Sequence, residues 1–223
     1  MTAPSVTRLR CEHLPSPVVL DRQRPRFSWQ VTSPRRGARQ SAYQLLVGSS
    51  VELVGDVWDS GKVLSDECVL VPYAGRELVS REQLFWTVRV WDDEGTPCSA
   101  PAPATFEMGL LTPSDWHAEW IASPRHEPSA VTQLRSTLKV DAPVLRARAY
   151  VTALGVYELR CNGQRVGDAH FAPGWTDYSK RLQYQVLDLA DLLVEGDNEL
   201  TAELAEGWYA GYIGFQGARN HYG

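Results

Sequence analysis

The side chains best suited to acid–base chemistry in this chain are carboxylates, and none of them sits in a recognisable acid/base motif. Asp92, Asp93 and Glu94 are adjacent, but like charges running into Gly95 read as a solvated turn. Glu206 is more tempting because Gly207, Trp208 and Tyr209 follow it. The five histidines (His13, His117, His126, His170 and His221) are scattered and lack the HxxxH spacing of a zinc helix. The four cysteines (Cys11, Cys68, Cys98 and Cys161) show no CxxC pair and read as reduced thiols. No serine lies in Gly-x-Ser-x-Gly. Gly207 to Gly217 is rich in glycine but studded with Trp, Tyr, Ile and Phe, which suits close packing better than a phosphate.

The aromatic count is the unusual feature. With 8 Trp, 9 Tyr and 5 Phe, tryptophan outnumbers phenylalanine. Flat apolar faces with a polar edge suit all-β cores, interfaces and sugar-stacking surfaces. The net charge of −5, with no basic run, gives no sign of a nucleic-acid or anionic-membrane partner. No stretch reaches the roughly 18 apolar residues of a membrane span. The first ten residues lack the apolar core of a secretory signal, so the expected compartment is the cytoplasm.

The elements that must position these groups are short strands. Phe27, Trp29 and Val31 alternate with polar neighbours, as do Tyr43, Leu45 and Val47. Val57 and Trp58 form a short apolar piece, and Cys68, Leu70 and Pro72 share one side of an extended stretch. Leu84, Trp86, Val88 and Val90 make the best period-2 run, stopped by Asp92–Gly95. Thr105–Met108 reads as a closing strand. About seven short strands in about 100 residues predict a β-sandwich. The connection Gly109–Asp115 separates it from a second set. There Leu134–Val140, Leu145–Val151, Tyr157–Cys161, Leu182–Val186 and Leu200–Leu204 alternate, and Asn162–Gly163 is a strong hairpin signal. The pattern divides the chain into domains at 1–110 and 111–223, a normal size for each.

The run Gly155–Asp168, followed by Ala172–Tyr184 and Glu206–Gly211, resembles the N-terminal β-sandwich domain of bacterial α-L-rhamnosidases of the glycoside hydrolase 78 type. Thr105–Leu111 and Asp115–Ile121 resemble the junction in the same proteins. Trp58–Gly61 and Phe85–Asp92 are similar to the fibronectin type III-like domain that precedes it. The resemblance implies an all-β chain of two β-sandwiches. The first is fibronectin type III/Ig-like; the second is jelly-roll-like (galactose-binding-like) and expected to be incomplete.

The family hydrolyses terminal α-L-rhamnose with inversion, which needs an acid and a base carboxylate about 6.5–9.5 Å apart. In the family both sit in an (α/α)6 barrel that these residues do not include. The resemblance therefore implies a non-catalytic accessory region, inactive alone, whose partner is that barrel. It also raises a rhamnose-binding module helped by calcium. Trp175, Tyr178, Trp208 and Tyr209 are the candidate stacking residues, and Asp168, Asp177 and Asn220 the candidate calcium ligands. The plainer alternative makes Trp175 and Trp208 loop anchors and the aspartates turn caps. A stand-alone carbohydrate-binding module and a purely structural pair of sandwiches are the competing functions.

Overall fold

The computed structural model describes residues 4–52, 54–98, 101–124, 130–213 and 217–222. The chain divides into two compact units, Met1–Ala118 and Glu119–Gly223.

The first unit is a sandwich of two antiparallel sheets. One has the order β1 (Ser5–Cys11), β2 (Arg26–Thr32), β5 (Val71–Pro72). The other has the order β4 (Val54–Asp59), β3 (Gln40–Gly48), β6 (Gln83–Asp92), β7 (Ala104–Glu107). Register aligns Tyr43 with Val90, Leu45 with Val88 and Val47 with Trp86, so the apolar alternations of β3 and β6 share one face. That face meets β2 in a single core. Phe27 packs on Trp86 with ring centroids 4.4 Å apart and on Phe106 at 5.6 Å. The Trp29 indole donates to Gln40 Oε1 at 2.9 Å, which satisfies its buried N–H.

Two details depart from the sequence reading. Strand β1 carries no readable alternation, because its pairing with β2 shifts between Thr7 and Arg10, with Arg8 at φ +51°. In the stretch after Cys68, Leu70 adopts φ +55°, so Val71 is the residue that turns into the core.

The chain leaves this unit through a 3-10 turn, Pro113–Asp115, held by one carboxylate. Asp115 Oδ2 accepts from Ser80 Oγ at 2.5 Å, Thr112 N at 2.8 Å and Thr112 Oγ1 at 3.0 Å. These donors, Ser80 first, pull its pKa down to about 2.

The second unit has a four-stranded antiparallel sheet of order β11 (Gln164–Arg165), β10 (Val156–Cys161), β13 (Gly196–Ala205), β8 (Thr132–Val140). Facing it is a two-stranded sheet of β12 (Gln185–Asp188) and β9 (Arg148–Val151). Asn162 (φ +50°) and Gly163 (φ +77°) make the β10–β11 turn, as their sequence predicts. Asn198, fully buried, ties the base of this turn. Its Nδ2 donates to Val194 O and Gly196 O, and its Oδ1 accepts from Val194 N and Asn162 Nδ2. The alternation around Leu145 does not extend the sheet: β9 starts at Arg148, and Leu145 is 97% exposed.

Candidate functional site

Apart from Asn220, the candidate residues lie on the β11–β12 loop and one short helix of the second unit. The helix, α1 (Gly207–Ala210), follows β13 directly. It is seated by close backbone approach. A Cβ on Gly155 would lie 2.2 Å from Ala205 O, and one on Gly207 would lie 2.7 Å from Val156 Cγ1. Both glycines have positive φ. This anchors Trp208 and Tyr209 beside the end of the sheet.

Tyr178 sits at the centre of an aromatic group. Its ring meets Tyr209 edge-on at 5.3 Å and Tyr222 at 5.1 Å. Its hydroxyl donates to Gly174 O at 3.3 Å, and burial, then the neighbouring Tyr222, raises its pKa. Trp208 instead packs edge-on against Phe171 at 6.1 Å. The structure therefore joins Tyr178 with Tyr209. Among the described residues, no ring contact joins Trp175 to Tyr178, Trp208 or Tyr209. Trp175 is 61% exposed, while its carbonyl accepts from Gln183 Nε2 at 3.3 Å. Its side chain is open to solvent.

Tyr222 and Arg219 were not singled out by sequence reasoning. Arg219 bonds the Glu206 carboxylate and lies over the Tyr212 ring at 4.9 Å. The separation in sequence, 13 residues, carries no local motif that would reveal the Glu206 pair. The same pair ends the attraction of Glu206 as an acid or base, since its oxygen is held by a guanidinium.

Asp177 organises its own turn. Its carboxylate meets Lys180 Nζ at 2.8 Å and Ser179 Oγ at 2.5 Å, and its carbonyl accepts from the amides of Lys180 and Arg181. The Lys180 contact, then Ser179, lowers its pKa to about 2. Asp168 and Asn220 are exposed, and Asn220 N donates to Ala210 O at 3.3 Å. Calcium takes about 6–8 oxygens and would have to displace the Lys180 ammonium to use Asp177 fully. Among the described residues, no group of three or more His, Cys, Asp or Glu side chains is placed to hold a metal. No helix among them is long and apolar enough to cross a membrane.

Comparison with known proteins adds the family context. Residues 6–112 match the model for the Rha78A-like N-terminal immunoglobulin domain, and residues 142–223 match that for the α-L-rhamnosidase N-terminal domain. The first match falls on the immunoglobulin side of the fibronectin type III/Ig-like expectation. An α-L-rhamnosidase of Alteromonas sp. (strain LOR) is 41% identical over 204 residues, covering 85% of this chain and 22% of the relative. One from Formosa agariphila is 36% identical over 205 residues, covering 86% and 22%. The crystal structure of the Streptomyces avermitilis α-L-rhamnosidase complexed with L-rhamnose superposes with a TM-score of 0.90 at 28% identity, covering 99% of this chain and 38% of that one. The chain thus spans roughly a fifth of the length of these two curated relatives.

Proposed function

The chain belongs to the α-L-rhamnosidase family by its N-terminal region, and from that premise we propose that it serves as the non-catalytic accessory part of such an enzyme. The observation that carries this reading is the pair of N-terminal family matches, which together span most of the chain in order. Three carboxylates of the second domain are committed to cations. Inversion needs one free acid and one free base flanking a water. Here Glu206 is held by Arg219, Glu158 by Arg160 and Arg165, and Asp177 by Lys180. The role is physical: the two sandwiches pack against an (α/α)6 catalytic barrel and stabilise it. The enzyme acts on terminal α-L-rhamnose of glycosides.

The test compares three proteins on a nitrophenyl α-L-rhamnoside. They are this chain, the part of the Alteromonas relative that follows its matched region, and the two joined. No turnover by the chain, with activity that survives heating longer in the joined protein, is the expected result. Turnover by the chain alone would overturn the reading.

The open indole of Trp175 favours a second reading, in which this loop stacks a rhamnosyl ring. Calorimetry with L-rhamnose, with and without calcium, tests it. Heat that Trp175→Ala removes would support stacking, and no heat in either condition would sink it.

A further inference from the structure

We propose that the outer face of β1 and β2, with the loop that leads into β2, binds the carboxylate or sulfate groups of an acidic polysaccharide. On the accessory reading above, on which this rests, that polymer bears the rhamnosyl ends the enzyme removes.

The charges of the first domain are segregated. The first 40 residues hold eight cations, all arginine, against Glu12 and Asp21 alone. Between residues 51 and 95 the balance reverses, with four cations against ten acids. Arg35 is matched by Asp93 and Glu94 across the loops that follow β2 and β6. Arg8, Arg10, Arg22, Arg24 and Arg26 are not matched in this way. Set against Glu12 and Asp21, these five leave a net charge of +3 on a chain whose total is −5. A local field of the opposite sign to the whole molecule selects its ligand by place.

The fold gathers these arginines. Phe27 and Trp29 point into the core, so Arg26, Ser28 and Gln30 of β2 point outward. Register sets Arg10 of β1 opposite Ser28, on the same outer face. The turn after β1 is closed by the Cys11 and Leu14 backbones, and Arg10 Nη1 donates to His13 O at 2.6 Å. Glu12, in this turn, accepts from Arg26 Nε at 3.0 Å and Arg26 Nη2 at 2.7 Å, and lies 3.8 Å from Arg22 Nε. One carboxylate thus sits between two guanidiniums and fixes them at the rim of the face. Pro25 is buried, with Arg24 exposed before it and Arg26 half-buried after it. Among the described residues, no carboxylate pairs with Arg8, Arg10 or Arg24, and all three are exposed. Cations on an edge strand discourage further strand pairing, which accounts for those on β1. Arg22 and Arg24 lie outside any strand, so edge protection does not account for them.

The guanidinium fork matches planar carboxylate and sulfate oxygens, which a lysine ammonium meets only as a point charge. Around the arginines stand Thr7, Ser28, Gln30 and Thr32, neutral side chains that exchange hydrogen bonds with sugar hydroxyls. No aromatic ring occupies an outward position of β1 or β2, so the face lacks the stacking platform of a single-stranded nucleic-acid site. An acidic glycan is the ligand that uses both the charge and the hydroxyl partners.

The test is affinity electrophoresis of this chain through gels holding neutral dextran, polygalacturonate or dextran sulfate. The last two present uronate carboxylates and sulfate esters, and so separate the two sources of the anionic group. Retardation by one or both, none by dextran, and weakening as salt rises are expected. Arg10→Gln with Arg24→Gln should weaken binding about tenfold or more. Should the first substitution unsettle the turn, Arg8→Gln with Arg24→Gln carries the same expectation. Arg135→Gln with Lys139→Gln removes the same charge from the second domain and should leave binding unchanged. No retardation by either anionic polymer would overturn the proposal, as would equal losses in the two pairs of variants. Stronger retardation by single-stranded DNA at the same salt would assign the face to nucleic acid. Salt-sensitive self-association, lost in the Arg10 and Arg24 variant, would assign it to a second copy. Either result would overturn the glycan. Retardation as expected, in a chain that gives no stabilisation when joined to the remainder of the Alteromonas relative, would keep the binding face and sink the accessory role. Stabilisation without retardation would do the reverse.

Discussion

In the first domain, Leu84, Trp86, Val88 and Val90 of one strand are all at most 1% exposed; in the second, no residue of β8 or β9 is buried. Both domains stack short antiparallel strands, yet one closes around a continuous core and the other holds two small clusters. The difference lies in what each sheet faces. In the first domain, three strands oppose four, and Phe27, Trp29 and Phe106 fill the space between. Among the described residues of the second, two oppose four. A sandwich's stability comes mainly from the apolar area hidden between its sheets. The first domain therefore hides far more apolar area between its sheets than the described strands of the second do.

The sharpest way to break this comparison is Trp86→Ala, which should cost the first domain about 3–5 kcal/mol. Denaturant unfolding monitored in each domain should show the loss there and leave the second transition in place. A shared loss would mean the two domains fold as one unit. In the second domain the largest single loss should come from Asn198→Ala. It unties the β10–β11 turn and leaves the Val194 and Gly196 backbone groups without the side chain that ties them, at a cost of about 1–3 kcal/mol, read from the same experiment.

Acid sharpens the comparison at the exit of the first domain. The Asp115 pKa is lowered from 3.8 to about 2, so the ionised carboxylate favours the folded state. Its contribution is fully present above about pH 4 and disappears as pH falls through about 2. The first-domain melting temperature of Asp115→Asn should therefore lie below that of the native chain at pH 6, and the gap should close near pH 2. A constant gap would assign the effect to packing. The smallest effect belongs to Leu134→Ser alone, expected to stay within about 0.5 kcal/mol because the residue lies outside both cores. Thermal melts would show it.

The sequence made some of this legible and hid the rest for physical reasons. Strand β6 was readable because its two faces differ at every step, and the β10–β11 hairpin because Asn162 and Gly163 both accept positive φ. Strand β1 was hidden by the shift at Arg8, which breaks the period that betrays a strand. The Leu145 alternation shows the converse error. Ala147, Ala149 and Val151 do pack against the cores, but the period runs past the start of the strand, and Leu145 lies beyond it in solvent. At the candidate site, the aromatic excess singled out Tyr178 and Tyr209, whose rings the structure brings into contact. The Tyr178–Tyr222 contact and the Glu206–Arg219 pair bring together residues far apart in sequence, so no spacing rule could reveal them. Of the proposed calcium ligands, Asp177 illustrates the limit: its type suggested a cation, and the cation its turn supplies is Lys180.

The most direct test of a tightly packed first domain and a loosely packed second one is amide hydrogen exchange on the isolated chain. The account predicts that amides of 84–90 exchange only through global unfolding of their domain. Those of 132–140 and 148–151 should exchange orders of magnitude faster, through local opening. Equal protection across both sets of strands would contradict it.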